Sequence, residues 1–150
     1  MANNNVQWSE IIPQLTRAET TWVETVLIAA QHYLDEDEAD TVAIPQPLLD
    51  TLRDTQELFE WKIETATEGP LLWLYSEGEA GNTNTLASFV QEFLRKFRPT
   101  QDFALTWAAW CSKLRAGEFS GGALYVTAES IRHCDAEDII TRWRRERSAP

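Results

Sequence analysis

Helical periodicity marks several long segments of this chain, in which apolar residues recur every three or four positions. The first segment follows Thr16, which has Glu19 at the spacing of a capping box. The clearest segment follows asparagines that can cap a helix, and it ends before Pro99. The pattern predicts helices at 17–34, at about 47–58, from 82–84 to 97, and from 135 to 147.

The segments between these helices have patterns typical of β-strands, because apolar residues there alternate with polar ones or form short runs. A Gly-Pro turn at 69–70 joins the first two runs as a hairpin. Large residues occupy both alternating positions of the third run, so both of its faces carry bulky side chains. The predicted strands span 59–63, 71–75, 103–111 and 123–127, with a further short strand near 131.

The order of these elements predicts an α+β fold with an N-terminal helix followed by ββαββα. Short hairpins favour a mostly antiparallel, four-stranded sheet with the helices packed on it. With 150 residues and 43% hydrophobic composition, the chain is expected to form one domain over 1–150. Its ββαββα core spans 58–147, and an acidic, proline-containing loop spans 35–47.

Charge is divided unevenly along the chain, whose formal net charge is −11. Residues 1–80 contain 16 acidic and three basic side chains, whereas residues 81–150 contain eight acidic and ten basic ones. An acidic half repels phosphate backbones and attracts basic protein surfaces. The sequence therefore favours a protein partner with a basic surface over direct nucleic-acid binding, although solubility alone also explains an acidic composition.

A run of carboxylates follows the first predicted helix, where mutual repulsion and the helix dipole disfavour further helix. We expect this run to form a solvated loop that contacts the basic partner. Its acidic residues are Asp35, Glu36, Asp37, Glu38 and Asp40.

The cellular compartment is inferred from the cysteines and from the hydrophobicity of the chain. The two cysteines, Cys111 and Cys134, are too few for the disulfide framework of a small secreted domain, so we expect free thiols. No run reaches the roughly 18 apolar residues of a membrane span, and the N-terminal residues lack a secretory signal pattern. These features predict a cytoplasmic protein without membrane contact.

Candidate catalytic and metal-binding residues are sparse. The soft metal ligands are His32, Cys111, His133 and Cys134. Their spacing matches no structural zinc site, and we expect no metal. The sequence also lacks a P-loop, a GxGxxG motif and a GxSxG motif, so we expect no cofactor and favour a protein without enzymatic activity. An enzymatic alternative places a site around Glu77, Glu79, Cys111 and the loop at 112–122.

The predicted loop at 112–122 combines cations with glycines and therefore has the composition of an anion-binding loop. Lys113 and Arg115 would supply charge, and Gly121 and Gly122 would supply backbone amides. The alternative is a flexible hairpin connection whose cations are solvated. Both interpretations remain open from the sequence.

Aromatic residues stand out in two regions. Trp143 lies among arginines near the C-terminus, but it shares a helical face with Ile139 and Ile140, so we expect it to pack in the core. Four further tryptophans, Trp61, Trp73, Trp107 and Trp110, lie on predicted strands. The strand tryptophans either form an exposed binding face or are covered by the N-terminal helix and the segment in the 40s.

Three segments resemble a group of small uncharacterised bacterial proteins, some of which are carried by phages or plasmids. The segments are Leu72–Glu79, Phe89–Pro99, and Cys111–Ala128 with its Gly117-Glu118-Phe119 and Gly121-Gly122 motifs. The resemblance covers about residues 58–135 and implies a compact domain of mobile-element origin. It transfers no catalytic residue.

Together these features predict an acidic interaction protein, an adaptor or an inhibitor, that docks on a basic protein surface. If the protein is phage-borne, that surface could belong to a nucleic-acid-handling complex. Two alternatives remain, namely the small enzyme described above and a self-associating structural domain that forms a homodimer.

Overall fold

The computed structural model describes residues 4–36, 41–76, 82–113, 116–117 and 119–149. It shows an α+β fold with four helices and an antiparallel six-stranded sheet. The strands are β1 (Asn4–Ile12), β2 (Glu60–Ala66), β3 (Gly69–Ser76), β4 (Asp102–Cys111), β5 (Ser120–Thr127) and β6 (Ile131–Asp135). The helices are α1 (Arg17–Asp35), α2 (Gln46–Thr55), α3 (Thr83–Phe97) and α4 (Ala136–Ser148).

The prediction of a four-stranded sheet was wrong, because the N-terminal segment forms a strand at the centre of the sheet. The strand order is β2-β3-β1-β4-β5-β6, so β1 separates the two predicted hairpins. It pairs with β4 through residues 4–7 and with β3 through residues 8–12. β1 therefore joins the two-stranded β2–β3 hairpin and the three-stranded β4–β5–β6 unit into one sheet. The short strand expected near residue 131 is present as β6.

One face of the sheet, here called the inner face, carries the core. Alternate strand positions point inward and are buried, as Trp8, Leu72, Leu105 and Leu124 illustrate. The apolar sides of α1, α2 and α3 belong to the same hydrophobic cluster. At the edge of this cluster, half-buried Trp22 of α1 stacks on Phe89 of α3 with ring centroids 5.7 Å apart. These three helices therefore all pack against the inner face.

A buried ion pair holds the start of α1 against the end of α3. Arg98 donates from Nε to Glu19 at 2.8 Å and from its terminal nitrogen to the carbonyl oxygens of Pro13 and Gln14. Glu19 also completes a capping box with Thr16, as predicted. Burial raises the pKa of Glu19, but hydrogen bonds from Arg98 and Thr16 and the charge of Arg98 outweigh it and lower that pKa.

The expectation that Trp143 packs in the core was wrong. α4 begins where predicted, with a capping box between Asp135 and Asp138, but it contains no buried residue. Trp143 is 59% exposed and Ile140 is 41% exposed. The helical spacing of these residues correctly indicates that they share one side of α4, but no element within the described ranges buries that side.

Candidate protein-binding surface

The strand residues that alternate with the core positions form the opposite side of the sheet, here called the outer face. Since α1, α2 and α3 lie on the inner face, this side keeps large side chains in contact with solvent. Ile11 is 46% exposed, Tyr125 40% and Trp110 36%. The outer face comprises Gln7, Ser9, Ile11, Glu60, Lys62, Glu64, Trp73, Tyr75, Asp102, Ala104, Thr106, Ala108, Trp110, Ala123, Tyr125 and Arg132.

Hydrogen bonds from neighbouring strands fix the orientation of the two indoles on this face. Trp73 stacks on Tyr75 at a centroid distance of 4.1 Å, and its Nε1 donates to the Ser9 hydroxyl at 2.8 Å. Trp110 donates from Nε1 to the amide oxygen of Gln7 at 3.1 Å. Polar residues of β1 therefore hold aromatic groups of β3 and β4. Fixed side chains lose little conformational entropy when a partner binds.

Tyr125 is fixed in a similar way at the β4–β5 end of the outer face. Its hydroxyl donates to Asp102 at 2.8 Å. This hydrogen bond is the main cause that raises the pKa of Tyr125, because ionisation would remove the donor and place a second negative charge beside the carboxylate. Tyr125 therefore stays a neutral hydrogen-bonding group over the physiological pH range.

The surface at the outer face has a shallow cleft next to a flat strip of small residues. The cleft has a volume of about 430 Å³ and is lined by Gln7, Ser9, Trp73 and Tyr75 of the outer face and by the buried residues Trp8 and Ser76. The strip consists of small residues on β4 and β5, among them Ala104, Ala108 and Ala123. Small side chains beside an aromatic pair leave room for a partner's side chains to enter.

Charged groups frame the aromatic pair on its β2 side. In the strand register Glu60 lies opposite Tyr75, and Lys62 lies opposite Trp73. Glu64 follows on the same side of β2. At the other end of the face, Asp102 is bound to Tyr125, and Arg132 lies opposite Tyr125. The outer face therefore combines aromatic rings with three carboxylates and two cations, and its rings and carboxylates suit the basic side chains of a partner.

Of the predicted acidic loop, Asp35 and Glu36 lie within the described residues. Asp35 is the last residue of α1 and accepts a hydrogen bond from Gln31 at 3.1 Å. Glu36 caps the helix through its backbone N–H, which donates to the carbonyl oxygen of His32. Both side chains are exposed. Asp37, Glu38 and Asp40 lie outside the described residues.

The predicted anion-binding residues occupy two different settings. Lys113 is exposed just after β4, whereas Arg115 lies outside the described residues. Gly121 and Gly122 belong to β5, which begins at Ser120, so the connection is shorter than predicted. In the ladder they face Ala108 and Trp107 of β4. The two glycines are therefore part of the β4–β5 ladder, and the Trp107 ring packs directly against Gly122.

The residues of the enzymatic alternative are only partly described. Cys111 is 3% exposed at the end of β4, and Glu77 and Glu79 lie outside the described residues. Within the described ranges, no three His, Cys, Asp or Glu side chains cluster closely enough to hold a metal ion. No helix in the same ranges is long and apolar enough to cross a membrane.

The sequence did not point to Gln7, Ser9, Tyr125 and Asp102, whose hydrogen bonds organise the outer face. Of the residues on this face, only the tryptophans were candidates. Gln7 and Ser9 alternate with Val6 and Trp8, and this alternation was the available signal for β1. The bond between Tyr125 and Asp102 joins residues that lie far apart in sequence, so no local pattern reveals it.

In comparisons with known proteins, no family model, no curated protein and no solved structure matches this chain.

Proposed function

We propose that this protein is a non-enzymatic binding module that docks on a basic protein surface through the outer face of its sheet. The observation that carries the proposal is the set of hydrogen-bonded aromatic residues on that face, of which Trp110 and Tyr125 are exposed and Trp73 is half-buried. Tyrosine and tryptophan are enriched where protein interfaces gain most of their binding energy. A sheet face with this composition is a docking surface rather than a catalytic cleft.

Charge supports the choice of a basic partner. The acidic first 80 residues include α1, α2 and β2, and their described carboxylates are largely exposed. Arginine and lysine side chains of a partner can lie over the rings of Trp73 and Tyr75 while they approach Glu60 and Glu64. The acidic side chains at 35–40 would add long-range attraction. The partner class remains the one favoured by the sequence, a protein with a basic surface, which could belong to a nucleic-acid-handling complex if this protein is phage-borne.

The experiment begins with capture of partners from a bacterial lysate at low salt and identification of proteins released by a salt step. Each basic candidate is then purified and titrated calorimetrically against the wild type and against Trp73→Ser and Trp110→Ser variants. Trp143→Ser is the matched control, because it removes the same side chain from an exposed position outside the outer face. Circular dichroism verifies that all variants fold.

Loss of a central interface tryptophan weakens binding by about tenfold to several hundredfold. We therefore expect losses of this size for Trp73→Ser and Trp110→Ser and little change for Trp143→Ser. Affinity should also fall as salt rises. The proposal fails if purified partners bind both outer-face variants as tightly as the wild type, or if salt does not weaken the complex.

A further inference from the structure

Helix α4 contains no buried residue, in contrast to α1, α2 and α3, which each bury an apolar stripe. It contacts β5 and β6, with Ile139 half-buried, and its 13 residues are a marginal length for a helix with so little packing support. The capping box of Asp135 and Asp138 fixes its N-terminus. A surface that covers its apolar side chains would supply the missing stabilisation.

The uncovered side of α4 has a defined composition, and it is called the α4 face below. Ile140, Trp143, Arg144 and Arg147 lie three, four and seven positions apart and therefore share one side of the helix. Among the described residues, none of the α4 arginines forms a salt bridge with a carboxylate. The α4 face thus has an apolar pair followed by two cations towards the C-terminal end of the helix, with Glu137 three positions before Ile140. An acidic, apolar counterpart suits its apolar and cationic part.

Such a counterpart lies on the solvent side of α1, and it is called the α1 face below. Glu24, Ile28, Gln31 and Asp35 lie four, seven and eleven positions apart, so they follow one line along the helix. Ile28 is 48% exposed. Gln31 donates to Asp35 at 3.1 Å and so orients that carboxylate. The α1 face therefore has an apolar residue between two acidic ones.

We propose that two copies of this chain form a two-fold dimer in which the α4 face of each copy packs on the α1 face of the other. Two-fold symmetry makes the complementary contact twice, which doubles both the apolar area buried and the number of ion pairs. The contact would cover Trp143 and Ile140 with Ile28. It uses neither strand residues nor the aromatic groups of the outer face.

Charge reversal tests this pairing by sedimentation velocity, at about 0.05 M and about 1 M salt. One variant carries Arg144→Glu and Arg147→Glu, and a second carries Glu24→Arg and Asp35→Arg. Each variant alone sets like charges against each other at both contacts. An equimolar mixture restores opposite charges at both contacts. The matched control, Arg142→Glu with Arg145→Glu, changes net charge equally at positions outside the α4 face.

We expect a wild-type dimer at low salt that dissociates at high salt, monomers for each charge-reversed variant, and a one-to-one heterodimer in the mixture. The control variant should remain dimeric, and Trp143→Ser should weaken the dimer at least about tenfold. A monomeric wild type at the highest attainable concentration overturns the proposal. Dimers that survive both charge reversals, a mixture that stays monomeric, or open-ended larger assemblies overturn it as well.

Discussion

Replacing one member of the Glu19–Arg98 pair should destabilise the fold strongly. Glu19→Gln leaves the half-buried Arg98 charge beside a neutral amide, and Arg98→Met also removes the hydrogen bonds to the carbonyl oxygens of Pro13 and Gln14. Breaking a buried pair in this way costs about 3–5 kcal/mol. Since domains of this kind unfold with about 5–15 kcal/mol, each variant loses a large share of its stability.

The assay is urea unfolding followed by tryptophan fluorescence for the wild type, both single variants and the double variant. Because Glu19 and Arg98 contact each other directly, the double-mutant cycle should give a coupling energy of about 1–3 kcal/mol. Glu19→Gln is the more informative single variant, because it preserves the shape of the side chain. Leu94→Ala, a plain core truncation near the same helix end, should show no such coupling with Glu19→Gln.

The pair also makes stability depend on pH. The pKa of Glu19 is lowered below its usual value of 4.5, so the folded state favours the carboxylate. Its contribution is therefore complete above about pH 4.5 and is lost as pH falls through the lowered pKa of the folded state. Glu19→Gln should flatten this part of the acid unfolding curve. The reasoning is refuted if Glu19→Gln costs less than about 0.5 kcal/mol at neutral pH and leaves the acid dependence unchanged.

Two smaller predictions concern β5. A Cβ atom on Gly122 would lie 2.5 Å from the Cys134 carbonyl oxygen and 2.6 Å from the Trp107 ring, so Gly122→Ala should cost about 1–3 kcal/mol in urea unfolding. The nearest contact at Gly121 is 3.1 Å, so Gly121→Ala should cost less, and equal costs would contradict the packing described. The Tyr125 phenol should ionise above the usual pH, and Asp102→Asn should lower its pKa, as ¹³C NMR of the tyrosine ring can measure. An unchanged titration in Asp102→Asn would exclude their hydrogen bond as the cause.

Elements that are specified by contacts between residues close in sequence were predictable. Thr16 and Glu19 specify the start of α1 through contacts only three residues apart, and the capping box is present. β1 was missed because its alternation begins in an asparagine-rich segment and ends at Pro13. Its stability comes from pairing with β3 and β4, which lie about 60 to 100 residues away in sequence.

The outer face shows where local patterns stop being informative. The sequence analysis did not separate Trp73 and Trp110, which lie on the outer face, from Trp61 and Trp107, which pack against the core. Strand patterns also do not tell whether a helix covers a given side. The position of α1 decides the question, and α1 packs through Trp22 onto α3. The same limit explains α4, since Trp143 has the helical spacing of a core residue without a core to enter.

Hydroxyl-radical footprinting read by mass spectrometry tests the central claim most directly, because it measures solvent access to individual aromatic side chains. In the free protein we expect oxidation of Trp110 and Tyr125 on the outer face, and little at the buried Phe89 and Phe93. In the complex with a basic partner, the outer-face residues should become protected. Protection of the outer face already in the free monomer, or its continued oxidation in the complex, would contradict the account.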